Sequence, residues 1–266
     1  MPKDGPVKVL LKSISVWYNS LNRDRYIRWL RRQGVEIGEG SMIRNPRTNI
    51  IDLTKPYLIT IGRDVHIAQG VRLLTHGYDW VILRELYGQV FGSANRITIG
   101  NNVYIGSFAT ILKGVTIGNN CVIGLGSIVT HDIPDNSVAV GIPAKVICSV
   151  EELYEKHQQR GKREAVIIAN AIKERYGRDP VPEDFFEHFY LFLERDKRKF
   201  GKIPVANQVG AHMDEFMKSK PEFPSFEAFL DYCYAHKYDD PFFERKKMVN
   251  RGKNCDRDRK TNEMVL

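Results

Sequence analysis

The sequence has few cysteines and no long apolar run, and each absence excludes a class of protein. Its four cysteines lie far apart among 266 residues and form no CxxC pair, which argues against a zinc finger, a redox motif or a disulfide scaffold. No apolar run approaches the ~20 residues that span a bilayer, and the N-terminus lacks the apolar core and small-residue cleavage site of a secretory signal. We therefore expect a cytoplasmic protein that is not integral to a membrane.

Positive charge is concentrated at one end of the chain. The formal net charge is +8, and residues 1–34 carry eight Lys and Arg against two Asp, which is 8 − 2 = +6. The rest of the chain is nearly balanced, so the charge does not indicate a nucleic-acid partner. An anionic membrane surface or an acidic substrate is the expected partner of the basic end.

Residues 1–34 read as one basic amphipathic helix that spans 7–33 and ends at Gly34. An apolar stripe recurs at helical spacing, at Leu10, Ile14, Trp17 and Leu21. Two interpretations remain open. The helix packs on the domain that follows, or it contacts an anionic membrane through its aromatic and arginine side chains. The second interpretation predicts peripheral association with the inner face of a membrane.

A repeat of six residues is the strongest pattern in the chain. Between residues 99 and 133 an aliphatic residue returns at every sixth position, and a small or β-branched residue follows each by four positions. The two sets are Ile99, Ile105, Ile111, Ile117, Ile123 and Val129, and Val103, Ala109, Val115, Cys121, Ser127 and Ile133. This period fits neither an α-helix nor an alternating strand. It predicts a prism with short strands as faces, turns as corners and aliphatic residues inside, its coils stacked about 4.8 Å apart as parallel strands.

The same register continues upstream with two interruptions. Further inward candidates are Ile37, Ile43, Ile61, Ile67 and Leu73. The repeat domain is therefore expected over residues 35–150. Residues 44–58, which contain two prolines, break the repeat. Residues 77–95 break it again and are predicted to form a loop excursion of the kind that often binds a ligand.

The chain beyond residue 150 departs from the repeat. Residues 151–244 are predicted as an α-helical extension, with helices over 151–177, around 185–193 and after an N-cap at Ser225. Residues 245–266 are charged and poor in apolar side chains, so we expect a disordered tail. The pattern assigns no function to the extension.

Two stretches resemble a known family. Residues 97–147 read ITIGNNVYIGSFATILKGVTIGNNCVIGLGSIVTHDIPDNSVAVGIPAKVI and resemble the hexapeptide-repeat acyltransferases. Residues 61–79, IGRDVHIAQGVRLLTHGYD, are similar to the branch of that family that O-acetylates sugars, including surface polysaccharides. The resemblance implies a mainly β fold, a left-handed parallel β-helix, and an acetyl-CoA-dependent sugar O-acetyltransferase. The N-terminal helix and the C-terminal helical extension flank that β-helix.

The resemblance aligns His76 with the general base of the family. A sugar hydroxyl is a weak nucleophile until its proton is removed, and a neutral imidazole can accept that proton near neutral pH. The thioester is already activated, so direct attack needs no covalent enzyme intermediate, and a backbone N–H is a sufficient donor to the oxyanion. Asp79 matches an acidic position of this branch. It orients His76 or binds acceptor hydroxyls, and a turn-forming role is the alternative.

The resemblance also implies contacts with the acetyl donor. The backbone of Ser107 and of Leu125 would meet the pantetheine arm of acetyl-CoA, where neighbouring glycines permit a close approach. Thr130, His131 and Lys145 would lie at the nucleotide end, with Lys145 as a cation for phosphate. Packing at the corners of the prism is the alternative for each of these positions.

Acceptor contacts and assembly follow from the same resemblance. Trp80 and Tyr104 would form an apolar wall for the sugar ring, although Trp80 has packing of its own loop as the alternative. In the family the donor groove forms between two subunits, so a homotrimer is expected.

Other functions remain open. N-acetylation of an amino sugar or acetylation of a xenobiotic would use the same base and donor site, and a non-catalytic scaffold would retain the prism for assembly. A zinc hydratase of the γ-carbonic anhydrase type needs three histidines, and the spacing of His66, His76 and His131 does not match it. We therefore expect no metal.

Overall fold

The computed structural model describes residues 6–237, with side chains from residue 13 onward. Its helices are α1 (Pro6–Asn19), α2 (Arg23–Gln33), α3 (Trp80–Tyr87), α4 (Val150–Tyr176), α5 (Val205–Val209), α6 (Met213–Lys218) and α7 (Phe226–Ala235). The chain divides into two compact units between residues 154 and 155, inside α4. The boundary predicted after residue 150 lies at the start of α4, four residues before this division. The predicted tail over 245–266 lies outside the described residues.

The first unit is built from short strands. They are β1 (Glu36–Ile37), β2 (Met42–Ile43), β3 (Ile50–Ile51), β4 (Ile59–Ile61), β5 (His66–Ile67), β6 (Arg72–Leu74), β7 (His76–Gly77), β8 (Ser93–Ala94), β9 (Ile97–Ile99), β10 (Val103–Ile105), β11 (Thr110–Leu112), β12 (Thr116–Ile117), β13 (Cys121–Ile123), β14 (Ile128–Val129), β15 (Ser137–Gly141) and β16 (Ala144–Ser149). Sheet A has the order β1-β4-β9-β12, sheet B β16-β15-β13-β10-β5-β2, and sheet C β14-β11-β6-β3. Each coil visits A, B and C in turn, which makes a three-sided parallel β-helix.

The predicted inward residues form the core of this prism. In sheet B, Ile67, Ile105 and Ile123 stand opposite one another on neighbouring strands. Sheets A and C stack their aliphatic residues in the same way. Every predicted inward residue is buried. Burying one such side chain stabilises the fold by about 1.5–3 kcal/mol, so the six-residue period specifies the core directly.

Asparagines shape the corner between sheets A and B. Asn102, Asn120 and Asn136 adopt left-handed backbone conformations, with φ of 55°, 54° and 57°, which asparagine tolerates better than most residues. Their side chains form a ladder along the prism: Asn102 Nδ2 donates to Asn120 Oδ1 at 3.0 Å, and Asn120 Nδ2 donates to Asn136 Oδ1 at 2.9 Å. The corner is therefore held by side-chain amides as well as by the strands.

The two ends of the coil stack are closed differently. Helix α2 contacts β1 and β2 of the first coil, and its Tyr26, Ile27, Trp29 and Leu30 are buried in the same cluster as the prism core. At the other end β16 turns back and pairs antiparallel with β15. Both ends of the stack thus differ from its repeating middle.

The N-terminal segment is two helices, so the prediction of one helix over 7–33 is wrong. Asn22 ends the continuity, because its Oδ1 accepts a hydrogen bond from the backbone N–H of Arg25 at 3.0 Å and caps α2. The predicted stripe does not pack on the domain, since Ile14, Trp17 and Leu21 are exposed. The packing face lies on α2 instead. Among the described residues, no helix combines the length and the apolar character needed to cross a bilayer.

Both interruptions of the repeat carry regular structure. Residues 44–58 contain 3-10 helices at Pro46–Thr48 and Pro56–Leu58, and between them β3 completes the first coil by pairing with β6. The excursion over 77–95 contains α3, and its two ends pair as β7 and β8. The first interruption therefore belongs to a coil of the prism, whereas the second leaves the prism.

The second unit has its own core. Ala165, Val166 and Ala169 of α4 cluster with aromatic side chains that include Phe185 and Phe229. The α-helix predicted around 185–193 is absent from the described structure, which has 3-10 helices at Pro182–Phe185 and Phe189–Leu191. The reason is burial: Phe185, Phe189, Leu191, Phe192 and Leu193 are all buried, and no single face of an α-helix can bury that set. The N-cap predicted at Ser225 is confirmed, since its Oγ accepts from Ala228 N at 3.2 Å.

Candidate active site

His76 lies where the chain leaves sheet C for the excursion. It begins β7, and its partner across the antiparallel pair is Ala94 of β8. Next to it, the N–H of Asn95 donates to the carbonyl of Thr75 at 3.0 Å. The returning end of the excursion therefore holds the backbone of His76, and its side chain keeps 19% of its surface exposed.

A buried carboxylate contacts the imidazole of His76. Asp52 Oδ2 is 2.5 Å from His76 Nδ1, and Asp52 itself is buried. Asp52 directly follows β3, and its N–H donates to the carbonyl of Leu73 on β6 at 3.0 Å. The pairing of β3 with β6 thus brings a residue of the first coil to the histidine of the second.

Asp52 is held by hydrogen bonds on both oxygens. Its Oδ1 accepts from the N–H and hydroxyl of Thr54 at 3.0 and 2.7 Å, and its Oδ2 accepts from the N–H and hydroxyl of Thr75 at 3.1 and 2.5 Å. Burial alone would raise the pKa of this carboxyl group, but the hydrogen bonds from Thr54, Thr75 and the imidazole hold it well below its usual range. Asp52 is therefore an anion at neutral pH.

This geometry fixes the tautomer of His76. An ionised carboxylate that already receives threonine donors can only accept from Nδ1, so Nδ1 carries the proton and Nε2 is left as the basic nitrogen. When Nε2 takes a proton, the anion beside Nδ1 stabilises the imidazolium. The pair is suited to general base catalysis.

Asp79 and Trp80, two of the three predicted acceptor residues, follow His76 closely along the chain. The ring of Tyr78 meets the imidazole edge-on at 4.9 Å, and Trp80 lies 6.4 Å from Tyr78. Asp79 is exposed at the start of α3. No hydrogen bond joins Asp79 to His76 among the described residues, so the orienting role that the sequence allowed for Asp79 belongs to Asp52.

Tyr104 and the residues predicted to meet the pantetheine arm lie on another part of the prism. Tyr104 projects from sheet B and, with Ser107 and His66, lines a cavity of about 450 Å³. The N–H of Gly126, next to the exposed Leu125, donates to the carbonyl of Ser107 at 2.8 Å. This part of the prism joins sheets B and C, whereas His76 follows sheet C. One chain therefore does not bring Tyr104, Ser107 or Leu125 to His76.

The predicted nucleotide-end residues are also divided. Thr130 and His131 follow β14 at the end of sheet C, with Thr130 Oγ1 2.8 Å from His131 Nδ1. Lys145 lies on β16, opposite Val140, and its side chain is exposed. Their contacts with a donor remain predictions.

Sequence reasoning missed Asp52 and Lys113. Asp52 lies in residues 44–58, which the sequence analysis interpreted as a break in the repeat. The preceding residue, Ile51, pairs with the inward residue Leu73, so an aliphatic residue one coil before Leu73 was the signal for a strand there. Lys113 follows β11, and its amino group donates to Ser93 Oγ of β8. It thereby ties the excursion to the third coil beside Gly77. Over the residues that the structure describes, no cluster of three or more His, Cys, Asp or Glu side chains could hold a metal ion.

Comparisons with known proteins identify sequence relatives of this chain. Residues 96–131 match the family described as bacterial transferase hexapeptide, six repeats. The chain is 44% identical to Protein CapG of Staphylococcus aureus over 127 residues, which are 48% of this chain and 73% of CapG. It is 45% identical to the galactoside O-acetyltransferase of Escherichia coli K12 over 107 residues, or 40% of this chain and 51% of that protein. A maltose O-acetyltransferase structure from Clostridium difficile 630 shares 29% identity, covering 47% of this chain and 75% of that one, with a TM-score of 0.35.

The chain belongs to the hexapeptide-repeat transferase family. Its predicted fold class, a left-handed parallel β-helix with a C-terminal helical region, is confirmed, and so is its class as an acyltransferase enzyme. The chain spans about half the length of the galactoside O-acetyltransferase. The family match over residues 96–131 lies within the first unit, which ends at residue 154.

Proposed function

We propose that this protein is an acetyl-CoA-dependent O-acetyltransferase that moves an acetyl group to a hydroxyl of a sugar or surface glycan. The observation that carries the proposal is the short contact between Asp52 Oδ2 and His76 Nδ1. It leaves Nε2 as the base on a side chain that is still partly exposed. The similarity to a galactoside O-acetyltransferase supports a sugar as the acceptor.

The reaction balances with the groups of this chain. His76 Nε2 takes the proton of the acceptor hydroxyl as its oxygen attacks the thioester carbonyl. The tetrahedral oxyanion then collapses, the carbon–sulfur bond breaks, and the CoA sulfur leaves with the proton that the imidazolium returns. Asp52 orients the imidazole and stabilises its charged form without itself gaining a proton.

A homotrimer is part of the proposal. His76, Asp79 and Trp80 follow the end of sheet C, whereas Tyr104, Ser107 and Leu125 lie on sheet B or directly after it. A site that uses both groups therefore needs two chains side by side. The excursion supports such a contact, because α3 buries no side chain in its own chain and Ile82, Leu86 and Tyr87 are exposed. Apolar residues presented in this way suit the groove of a neighbouring subunit.

An acceptor screen tests the function. The purified full chain is incubated with acetyl-CoA and nucleotide sugars, free sugars or polysaccharide fragments, and the products are identified by mass spectrometry. We expect an acetyl ester that mild base removes, and no product with the His76→Ala variant. An amide product that resists mild base would instead establish N-acetylation. No transfer to any acceptor together with no binding of acetyl-CoA would favour a scaffold.

A further inference from the structure

The outer face of α1 is an exposed apolar surface. Ile14, Trp17 and Tyr18 of α1 and Leu21, two residues after its end, follow one another at helical spacing, and each keeps between 45% and 58% of its surface exposed. The opposite side of α1 is the one that docks, since Asn19 and Ser20 are buried and Val16 packs against the prism core. We call the four exposed residues the α1 stripe.

Arginines flank the α1 stripe. The guanidinium of Arg25 on α2 lies over the ring of Tyr18 at 4.3 Å, and that of Arg47, from the first coil, lies 6.0 Å from the ring centre of Trp17. No described carboxylate forms an ion pair with either arginine, and the nearest acid along α2 is the single Asp24. The folded protein thus brings the apolar side chains of the α1 stripe together with positive charge from α2 and from the first coil.

We infer that the α1 stripe and its arginines bind the surface of an anionic lipid bilayer. Trp, Tyr and long aliphatic side chains enter the interfacial region of a bilayer, and arginines beside them meet lipid phosphates. The apolar and cationic parts lie on one side of the helix, as a helix lying in the plane of the interface requires. Binding of a bilayer by this surface does not require the acyl-transfer chemistry.

A second copy of the chain fits this surface less well. A symmetric contact would bring Arg25 and Arg47 of both protomers into one interface, and the added like charges oppose association. A bilayer surface with anionic headgroups instead complements them. Contact between copies is therefore an outcome for the experiment to detect.

Vesicle sedimentation tests the inference. The full chain is mixed with phosphatidylcholine vesicles that either contain or lack phosphatidylglycerol. We expect binding to the anionic vesicles only, and weaker binding as salt is raised. The double variant Ile14→Ser, Trp17→Ser should bind about 100-fold more weakly, because two large apolar side chains no longer enter the interface. Arg25→Gln with Arg47→Gln should weaken binding about 30-fold, since each arginine near an anionic surface contributes about fivefold.

Controls separate this surface from general charge and from assembly. Arg63→Gln removes one exposed positive charge from another corner of the prism and should leave binding within about twofold of wild type. All variants are also tested for mass by light scattering and for acetyl transfer to a soluble acceptor, neither of which should change. Equal vesicle binding by the stripe variant, or no binding by the wild type, would overturn the inference. A lower oligomeric mass with unchanged vesicle binding would identify the stripe as a subunit contact.

Discussion

Replacing Asp52 by asparagine removes one charge from the site and keeps the shape of the side chain. The carboxylate accepts five hydrogen bonds, from Thr54, Thr75 and His76. An amide offers one accepting oxygen and one donating nitrogen in their place. In either orientation of the introduced amide, its NH₂ group therefore faces at least one backbone N–H, so that two donors meet.

The two orientations have different costs. With the amide oxygen at the Oδ2 position, Nδ1–H of His76 keeps its acceptor, but the N–H of Thr54 faces an NH₂ group, and a buried donor left unpaired costs about 1–3 kcal/mol. With the amide reversed, the NH₂ donates to Nδ1, so the proton of the neutral imidazole moves to Nε2 and the base is lost. Both orientations also lose the anion that stabilises the imidazolium. We expect kcat to fall about 10²- to 10⁴-fold, which is the usual contribution of general acid–base catalysis.

The assay follows release of the CoA thiol, with calorimetric titration of CoA as a second readout. The affinity for CoA should stay near wild type, because Asp52 lies with the base and not with Ser107 and Leu125, the predicted pantetheine contacts. Asp79→Asn is the matched control and should change kcat less than about tenfold, since its exposed carboxylate makes no hydrogen bond to His76. The reasoning is refuted if Asp52→Asn keeps most of its kcat while Asp79→Asn loses it.

The same variant predicts a pH dependence of stability. The pKa of Asp52 is lowered in the folded state, so its contribution is fully present above the unfolded pKa of about 3.9 and is lost as pH falls through the folded value. Wild type should therefore be more stable than Asp52→Asn at neutral pH. The difference should persist down to about pH 4 and shrink below it. Thermal melts across this range measure it, and a difference that vanished at neutral pH would contradict the depressed pKa.

Four further predictions concern catalysis, the two cores and assembly. His76→Ala should lower kcat at least ~10²-fold with little change in CoA affinity, while His131→Ala should weaken CoA binding slightly and leave kcat largely unchanged. Ile117→Asp should cost several kcal/mol or prevent folding, and a wild-type melting curve would disprove the repeat register. Phe185→Ala should lower the free energy of unfolding of the second unit by about 3–5 kcal/mol in urea denaturation. Light scattering of an active preparation should give the mass of a trimer, and a monomer would refute that assembly.

The six-residue period was enough to predict the prism, because each inward position is set by its own hexapeptide. Ile105 and Ile123, for instance, are buried by the same local pattern. His76 was likewise found from a short motif at the end of a coil. These features depend on neighbours in sequence.

What the sequence did not show depends on contacts between distant segments. Asp52 reaches His76 only because β3 pairs with β6, and the prolines around β3 conceal that strand from a search for repeats. The 3-10 turns around Phe189 follow from an aromatic cluster that α4 and α7 complete. The predicted stripe at Ile14, Trp17 and Leu21 is exposed, and the apolar face that covers the prism belongs to α2, which the single-helix prediction did not separate.

A stack of identical coils has no inherent length, because each coil offers the next one a row of unpaired backbone groups. In this protein the first coil lies under the apolar face of α2, and the last strand of sheet B, β16, runs antiparallel to its neighbour. An antiparallel strand spaces its hydrogen bonds differently from a parallel one, so it is a poor template for another coil. Addition of a further coil is thereby disfavoured under α2 and along sheet B, and among the described residues of the first unit the flanks of the prism stay accessible for association between copies.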